Sequence, residues 1–312
     1  MPSPIEETIT ELTDNDKSLP NSRLVDLSNL SPEELELFEQ AWAIIEPKRR
    51  RHIIYRLVEL AEEDVKLDFE SIFRDRLSDE DAEVRSKAIE GLWESEDTSL
   101  INPLIILVEQ DSSEKVQAAA ATALGKFVML AELEKLRSCY KSKIEHVLLS
   151  VSNDKSVPVE VRRRALEAVA PLSLPEVKEA IMEAYQSPDP KLRVSAIYAM
   201  GRNCDPSCLP ILIRELASTD AETRYEASEA CGELGEKEAV PYLIELIDDL
   251  DVEVQLAAIR ALGEIGGSEA EECLEECQKN PSEEIRLAAE QALNEMEVEE
   301  DPFSFKHGTG LA

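Results

Sequence analysis

Residues 251–263 read DVEVQLAAIRALG, and two stretches upstream repeat the pattern: DAETRYEASEACG over residues 220–232 and DPKLRVSAIYAMG over residues 189–201. Each stretch begins with Asp, carries Arg or Gln four residues later and ends on Gly, and successive stretches lie 31 residues apart. A fixed period of this length is typical of a tandem repeat protein. The repeat therefore decides the fold class before any single residue is considered.

The position that holds Arg or Gln traces the repeat along most of the chain. At the regular spacing of 31 residues it is occupied by Arg162, Arg193, Arg224, Gln255 and Arg286. Upstream, Arg85 and Gln117 stand in similar contexts, Arg50 is a weaker match, and an insertion near residues 130–143 separates the irregular part from the regular one.

Each repeat is predicted to form two helices. In the repeat that starts at Asp251, apolar residues at positions 254, 257, 258, 261 and 262 form one helical stripe, and Asp is a favoured N-cap. Gly263 is predicted to end the first helix in a left-handed conformation, and Pro241 fits the first turn of a second helix. Trp93 stands at this glycine position in its own repeat, where packing is favoured over exposure. We expect about 75% helix, no sheet and about seven helical pairs.

These motifs resemble HEAT repeats, and more narrowly the short bacterial repeats named after the phycobilisome lyases. The resemblance covers roughly residues 79–296 and implies an all-α fold, an α-solenoid wound as a right-handed superhelix. It also implies a ladder in which the Asp of one repeat pairs with the Arg of its neighbour, which is favoured over an anion-binding role for the Arg column. The ladder residues are Asp81, Arg85, Asp189, Arg193, Asp220, Arg224, Asp251 and Gln255.

The chain divides into four segments by composition. Residues 1–30 are predicted to be a disordered acidic tail, and residues 31–155 hold N-terminal helices and repeats, including the insertion. Residues 156–296 hold the regular repeats, and residues 297–312 form a second disordered tail. Ser31, Pro32 and Glu34 predict a capping box at the start of the first helix.

Charge and composition limit the functions open to this sequence. With 33 Lys and Arg against 67 Asp and Glu, the net charge is −34, which opposes binding of nucleic acid phosphates. The hydrophobic content of 43% still supports a sizeable core. The sequence predicts no signal peptide, no membrane-spanning stretch and no disulfide framework among six Cys, so a cytoplasmic location is expected.

The residues needed for known chemistry of this fold are missing. Iron-dependent hydroxylases of similar fold use paired His-Glu dipeptides, whereas none of the three histidines here is followed by Glu. The cysteine pairs Cys204/Cys208 and Cys273/Cys277 are spaced i, i+4 rather than C-x-x-C, so no zinc site is predicted. We therefore expect no catalytic residues, no cofactor and no metal.

The remaining candidate site is a groove on the second helices, which line the concave face of such solenoids. The repeat places Ala180, Ile211, Tyr242 and Cys273 in one row of this face. The neighbouring row contains Glu183, Arg214, Glu245 and Glu276. An apolar row beside a mostly acidic row would accept a helix or strand with basic flanks.

We therefore predict a monomeric protein-interaction scaffold whose partner is another protein with a basic or helical docking segment. The first alternative is a bilin-lyase-like or chaperone-type subunit that acts on an acceptor protein. The second is a protein like the DNA-repair glycosylases of similar fold, which the net charge of −34 opposes. Whether the groove or the two tails carry recognition stays open.

Overall fold

The computed structural model describes residues 4–14 and 19–300, and within these ranges it contains eighteen α-helices and no β-strand. The first nine are α1 (Pro4–Leu12), α2 (Asn21–Leu24), α3 (Pro32–Trp42), α4 (Pro47–Glu63), α5 (Glu70–Arg76), α6 (Ala82–Gly91), α7 (Ile101–Gln110), α8 (Glu114–Glu132) and α9 (Ser138–Asn153). The others are α10 (Val159–Val169), α11 (Pro175–Tyr185), α12 (Pro190–Asn203), α13 (Leu209–Leu216), α14 (Ala221–Leu234), α15 (Val240–Glu245), α16 (Val252–Ile265), α17 (Ser268–Cys277) and α18 (Glu283–Glu300).

Seven consecutive helical pairs, from α4–α5 to α16–α17, are followed by a terminal helix, α18. The first helices of successive repeats pack on one another, α4 on α6 and α6 on α8, and likewise α12, α14, α16 and α18. The second helices α13, α15 and α17 form a separate layer. The predicted class, an all-α solenoid of about seven helical pairs, is thereby confirmed.

The described residues fall into two compact units, one ending at Ala168 and the other beginning at Val169. The sequence had placed this division near residue 155. The insertion near residues 130–143 lengthens both helices of its repeat: α8 has 19 residues, against 14 in α12, α14 and α16, and α9 has 16.

The N-terminal segment differs from the disordered tail expected over residues 1–30. Ile5, Ile9 and Leu12 follow a helical spacing and form the buried face of α1. Thr8 on the same helix is fully buried, and its Oγ1 donates to Asp26 Oδ2 at 2.9 Å. The short apolar stripe was missed because polar residues surround it. At the other end α18 continues to Glu300, and the rest of the predicted C-terminal tail, residues 301–312, lies outside the described residues.

Side-chain caps begin the helices where the sequence predicted them. Asp81, Asp189, Asp220 and Asp251 are the N-caps of α6, α12, α14 and α16, and each carboxylate accepts a first-turn backbone N–H. The predicted capping box is present, because Ser31 Oγ accepts from Glu34 N while the Glu34 carboxylate accepts from Ser31 N.

The repeated glycines have a different role from the predicted one. Gly201 and Gly232 lie inside their helices, which end three residues later at Cys204 and Gly235, where φ is +51° and +70°. A Cβ on Gly201 would lie 2.7 Å from Ala230 Cα on the next first helix, closer than real Cβ contacts come. These glycines therefore permit close helix–helix contact and do not end the helix.

This contact predicts opposite outcomes for two Gly→Ala substitutions inside helices. Gly201→Ala must push α14 away, so we expect a loss of about 1–3 kcal/mol in the free energy of unfolding. Gly125→Ala is the matched control, because its Cβ would meet Ala168 at an ordinary 3.4 Å. Alanine is the better helix former by roughly 0.5–1 kcal/mol, so the control should hold or gain stability in urea unfolding. Equal losses in both variants would contradict the close-contact account.

Candidate functional site

The Arg column ties each first helix to the loop that precedes it. In five repeats the side chain at this position donates to the backbone carbonyl six residues earlier, over 2.6 to 3.0 Å. The donors are Arg85, Arg193, Arg224, Gln255 and Arg286. A bond from the side chain to a loop carbonyl needs no positive charge, which explains why Gln255 can replace Arg.

The carboxylate partner of the Arg is not the N-cap Asp that the ladder predicted. Arg85 makes a two-point ion pair with Asp111, both bonds at 2.8 Å, and Arg224 makes one with Asp249, at 2.7 and 2.8 Å. Both acids stand two residues before the N-cap of the next first helix. The N-cap Asp81 caps α6 and also pairs with Arg51 of the preceding first helix at 2.7 Å, so an N-cap Asp can join repeats, but its partner is not the column residue Arg50.

The Arg224–Asp249 pair is mostly shielded from water, with 15% and 7% of the two side chains exposed. Asp249 Oδ1 also accepts from Asp251 N at 2.8 Å. The hydrogen bond from Arg224, followed by that backbone bond and the nearby positive charge, lowers the pKa of Asp249 below its ordinary value despite the opposing effect of burial. The guanidinium is thus engaged by protein groups and is a structural tie.

The structure places the predicted groove residues on four second helices, α11, α13, α15 and α17. The acidic row is exposed at Glu183, Glu245 and Glu276. The apolar row is uneven: Ala180 is buried at 4% exposure, Ile211 and Cys273 are half-buried, and Tyr242 is 45% exposed. Tyr242 is therefore the most exposed apolar side chain of this row and the one most accessible to a partner.

Arg214 is less available than the sequence suggested. Its guanidinium lies over the Tyr185 ring, 5.6 Å from the ring centroid, and donates to the Tyr185 hydroxyl. It also pairs with Glu215 at 3.2 Å, and the Tyr185 hydroxyl donates to the same carboxylate. These contacts join α11 to α13 and offset the positive charge of Arg214 within this face.

A cavity of about 410 Å³ lies beside Tyr242 and Glu245 on this face. Its other lining residues are Ile213, Leu216, Ala217, Ser218, Arg224, Leu246, Asp248, Asp249 and Leu250. The two predicted residues of α15 therefore lie in one concave site, whereas Cys273 and Glu276 of α17 do not line it.

Leu250 is a functional candidate that the sequence reasoning missed. Its side chain is fully exposed at the edge of the cavity. A signal was present, because the same loop position holds polar residues or proline in five other repeats, at Glu80, Ser112, Pro188, Thr219 and Pro281, and the half-buried Val157 in a sixth. A leucine in this column has no partner to pack on within its own loop, which makes it a candidate contact residue.

The cysteines show no reactive arrangement. All six are free thiols, and Cys208, Cys231 and Cys277 are buried among apolar side chains. Burial raises the pKa of the Cys231 and Cys277 thiols to about 12, so both stay protonated at neutral pH. Within the described ranges no three His, Cys, Asp or Glu side chains gather as a metal site would require, and no helix is long and apolar enough to cross a bilayer.

The sequence profile described as HEAT repeats matches residues 71–152 and 209–294, together more than half of the chain. The chain therefore belongs to the HEAT repeat family. No curated protein matches this sequence.

Two solved structures are similar to this chain. The complex of CpcE and CpcF of phycocyanin lyase from Nostoc sp. PCC7120 is 15% identical, with a TM-score of 0.53 over 91% of this chain and 97% of that one. The Escherichia coli protein YibA is 19% identical, with a TM-score of 0.47 over 77% of this chain and 96% of that one. At 15% identity, the likeness to the phycocyanin lyase complex supports the fold alone.

Two substitutions in the Arg column should differ in cost. Arg224→Ala removes a two-point ion pair and leaves Asp249 buried without its partner, so we expect a loss of about 2–3 kcal/mol in the free energy of unfolding. Arg193→Ala is the matched control, because the residue at the Asp249 position of the next repeat is Ser218 and only carbonyl bonds are lost. Its expected cost is about 1 kcal/mol in urea unfolding. If both variants lost a similar free energy of unfolding, the Asp249 carboxylate would contribute nothing to stability.

The lowered pKa of Asp249 predicts a pH dependence. A carboxyl group with a folded-state pKa below its unfolded value contributes stability above that unfolded value, here 3.8, and loses it as pH falls through the folded-state pKa. Asp249→Asn should therefore be less stable than wild type at pH 7, and the difference should shrink below about pH 4. Urea unfolding across this range measures it, with the exposed Asp248→Asn as control. A difference that widens in acid would contradict the assignment.

Proposed function

We propose that this protein is a non-enzymatic scaffold that binds another protein through the second-helix face of residues 169–296, centred on Tyr242. The observation that carries the proposal is the exposed Tyr242 ring beside a cavity of about 410 Å³, with the exposed Leu250 at its edge. Aromatic side chains bury much area at small entropic cost and often dominate interfaces. A partner could therefore place an apolar side chain in the cavity and pack on both residues.

The charge around the cavity favours a basic partner. Glu245 and Asp248 line the cavity and are exposed, and Glu276 is exposed on the next second helix. The nearest cation of the lining, Arg224, is neutralised by Asp249. A net charge of −34 adds long-range attraction for basic segments, an effect that salt screens.

A short amphipathic helix with basic flanks fits this face best. One apolar residue of such a helix would enter the cavity, and residues one turn away would reach Leu250 and the carboxylates. We propose that the protein acts as a cytoplasmic monomer, and its six free thiols fit a reducing compartment.

Two other functions follow from the same fold resemblance. A bilin-lyase-like or chaperone-type subunit would act on an acceptor protein, and a bound pigment visible after purification would favour it. A role like that of the DNA-repair glycosylases is opposed by the net charge of −34, and retention on immobilised DNA would favour it. No residue of this chain specifically favours either activity over the scaffold.

Tyr242→Ala should weaken binding of a partner recovered by pull-down about tenfold, because the ring is the main apolar contact. Tyr198→Ala is the matched control: Tyr198 is 38% exposed but belongs to the first helix α12. We expect Glu245→Lys combined with Glu276→Lys to slow association and to flatten its dependence on salt. Calorimetry and stopped-flow kinetics measure the two effects.

A chain lacking residues 301–312 distinguishes binding through the groove from binding through the C-terminal tail. If this truncation abolishes binding while Tyr242→Ala retains it, recognition lies in the tail and the proposed groove is wrong. If Tyr198→Ala weakens binding as much as Tyr242→Ala does, the second-helix face is not the specific contact.

A further inference from the structure

Trp93 departs from the repeat pattern in a way that the scaffold function does not explain. It follows α6 in a turn and is 60% exposed, whereas the other tryptophan, Trp42, is buried at 2%. The packing expected for Trp93 from the sequence is therefore wrong. Four other repeats have Gly at this position, where the next first helix lies against it. Helix α6 already ends at Gly91, so Trp93 does not meet that contact.

The turn that carries Trp93 is held in place from α8. Lys126 Nζ donates to the carbonyl oxygens of Leu92 and Trp93, at 3.1 and 2.8 Å. A lysine at the C-terminal end of a helix satisfies carbonyl groups that lack helical partners. The backbone of Trp93 is thus fixed, and an exposed ring on a fixed backbone loses little entropy when it binds.

Trp93 lines two cavities of the N-terminal unit. The larger, about 740 Å³, is lined by α8, where the short side chains of Ala119, Thr122 and Ala123 leave space for a ligand side chain. The smaller, about 320 Å³, is bounded by the rings of Phe69 and Phe73 and by other residues including Val65, which is 85% exposed.

The smaller cavity is acidic and contains no Lys or Arg among its lining residues. Asp68, Glu70 and Glu94 contribute its carboxylates. The Glu70 carboxylate is bound by Arg74 and Ser95, and Asp68 Oδ1 accepts from Glu70 N. Glu94 is exposed and, among the described residues, makes no ion pair. This cavity therefore offers the exposed Trp93 ring and negative charge to a cation.

The cations of the larger cavity are already engaged by the protein. Lys115 pairs with Glu83, and Arg164 pairs with Glu160 and Glu167, at 3.0 and 2.9 Å. Lys126 is bound to the two carbonyl oxygens and is surrounded by the charges of Glu70, Glu94 and Glu96. The larger cavity thus provides mainly apolar surface, with little positive charge left to attract an anion.

We propose that Trp93 and its two cavities bind an arginine-containing amphipathic segment of a partner protein. The guanidinium stacks on the Trp93 ring and pairs with Glu94 in the smaller cavity, and a neighbouring leucine-sized side chain occupies the larger one. Arginine fits better than lysine, because its planar group stacks on an aromatic face while donating to a carboxylate. The site is independent of Tyr242, which belongs to the other unit.

The test uses the full chain and a fluorescein-labelled peptide made of three Ala-Ala-Leu-Arg repeats, with a second peptide in which Gln replaces each Arg. Fluorescence anisotropy should show the Arg peptide binding at least tenfold more tightly than the Gln peptide. Each variant is made in a Tyr242→Ala background, which removes the second-helix site. In this background Trp93→Ala should weaken binding of the Arg peptide about tenfold and Glu94→Gln about threefold, while Tyr198→Ala, outside both proposed sites, leaves it unchanged. Circular dichroism and urea unfolding check that each variant is folded.

Several outcomes would overturn the proposal. These are equal binding of the Arg and Gln peptides, no binding of the Arg peptide by wild-type protein, and full binding by Trp93→Ala. If Trp93→Ala failed to fold, Glu94→Lys would be the deciding variant, because reversing this exposed charge should weaken binding of the Arg peptide at least tenfold. If Glu94→Lys binds the peptide as tightly as the unchanged residue does, the proposed site is wrong. Because the Tyr242 site is absent from this background and belongs to the other unit, failure here leaves the scaffold function to its own test.

Discussion

Close contact between successive first helices is the constraint on which the rest of the fold depends. A Cβ on Gly201 or Gly263 would lie 2.7 or 2.8 Å from an alanine of the next first helix, Ala230 or Ala292. A Cβ at the glycine position would not allow this separation, so the glycine and the facing alanine set the distance between these first helices. The second helices follow that distance, which is why residues 31 positions apart, such as Tyr242 and Cys273, fall on one face.

The Arg column then fixes the preceding loop to the helix in five repeats, and its pairs Arg50–Asp79, Arg85–Asp111 and Arg224–Asp249 also join neighbouring repeats. Because Arg224 donates to the carbonyl oxygen of Ser218 and to the carboxylate of Asp249, its positive charge is neutralised within the fold. The functional surface must lie where the repeat does not use its side chains. Tyr242, Leu250 and Trp93 are such positions: each is exposed, and Leu250 and Trp93 also depart from the residues that their columns usually hold.

The sequence predicted the helical pairs, the Asp caps and the identity of the column residues, because these depend on local spacing. It misassigned the glycines as helix ends. A Gly that ends a helix and a Gly that permits close contact with a neighbouring helix look the same in sequence, and only the neighbouring helix distinguishes them. It also misplaced the partner of Arg224: the acid two residues before the next N-cap is near in space and 25 residues away in sequence. The tie between Arg214 and Tyr185 and the exposure of Trp93 likewise depend on neighbours that no spacing rule shows.

The central claim is that a partner binds the second-helix face of residues 169–296 and leaves the first helices free. Hydrogen–deuterium exchange of the protein, alone and bound to its captured partner, measures this directly. The account predicts slower exchange in α13, in α15 with the Asp248–Asp251 loop and in α17, with α12, α14 and α16 unchanged. Protection confined to the first helices, or to residues 301–312, would contradict it.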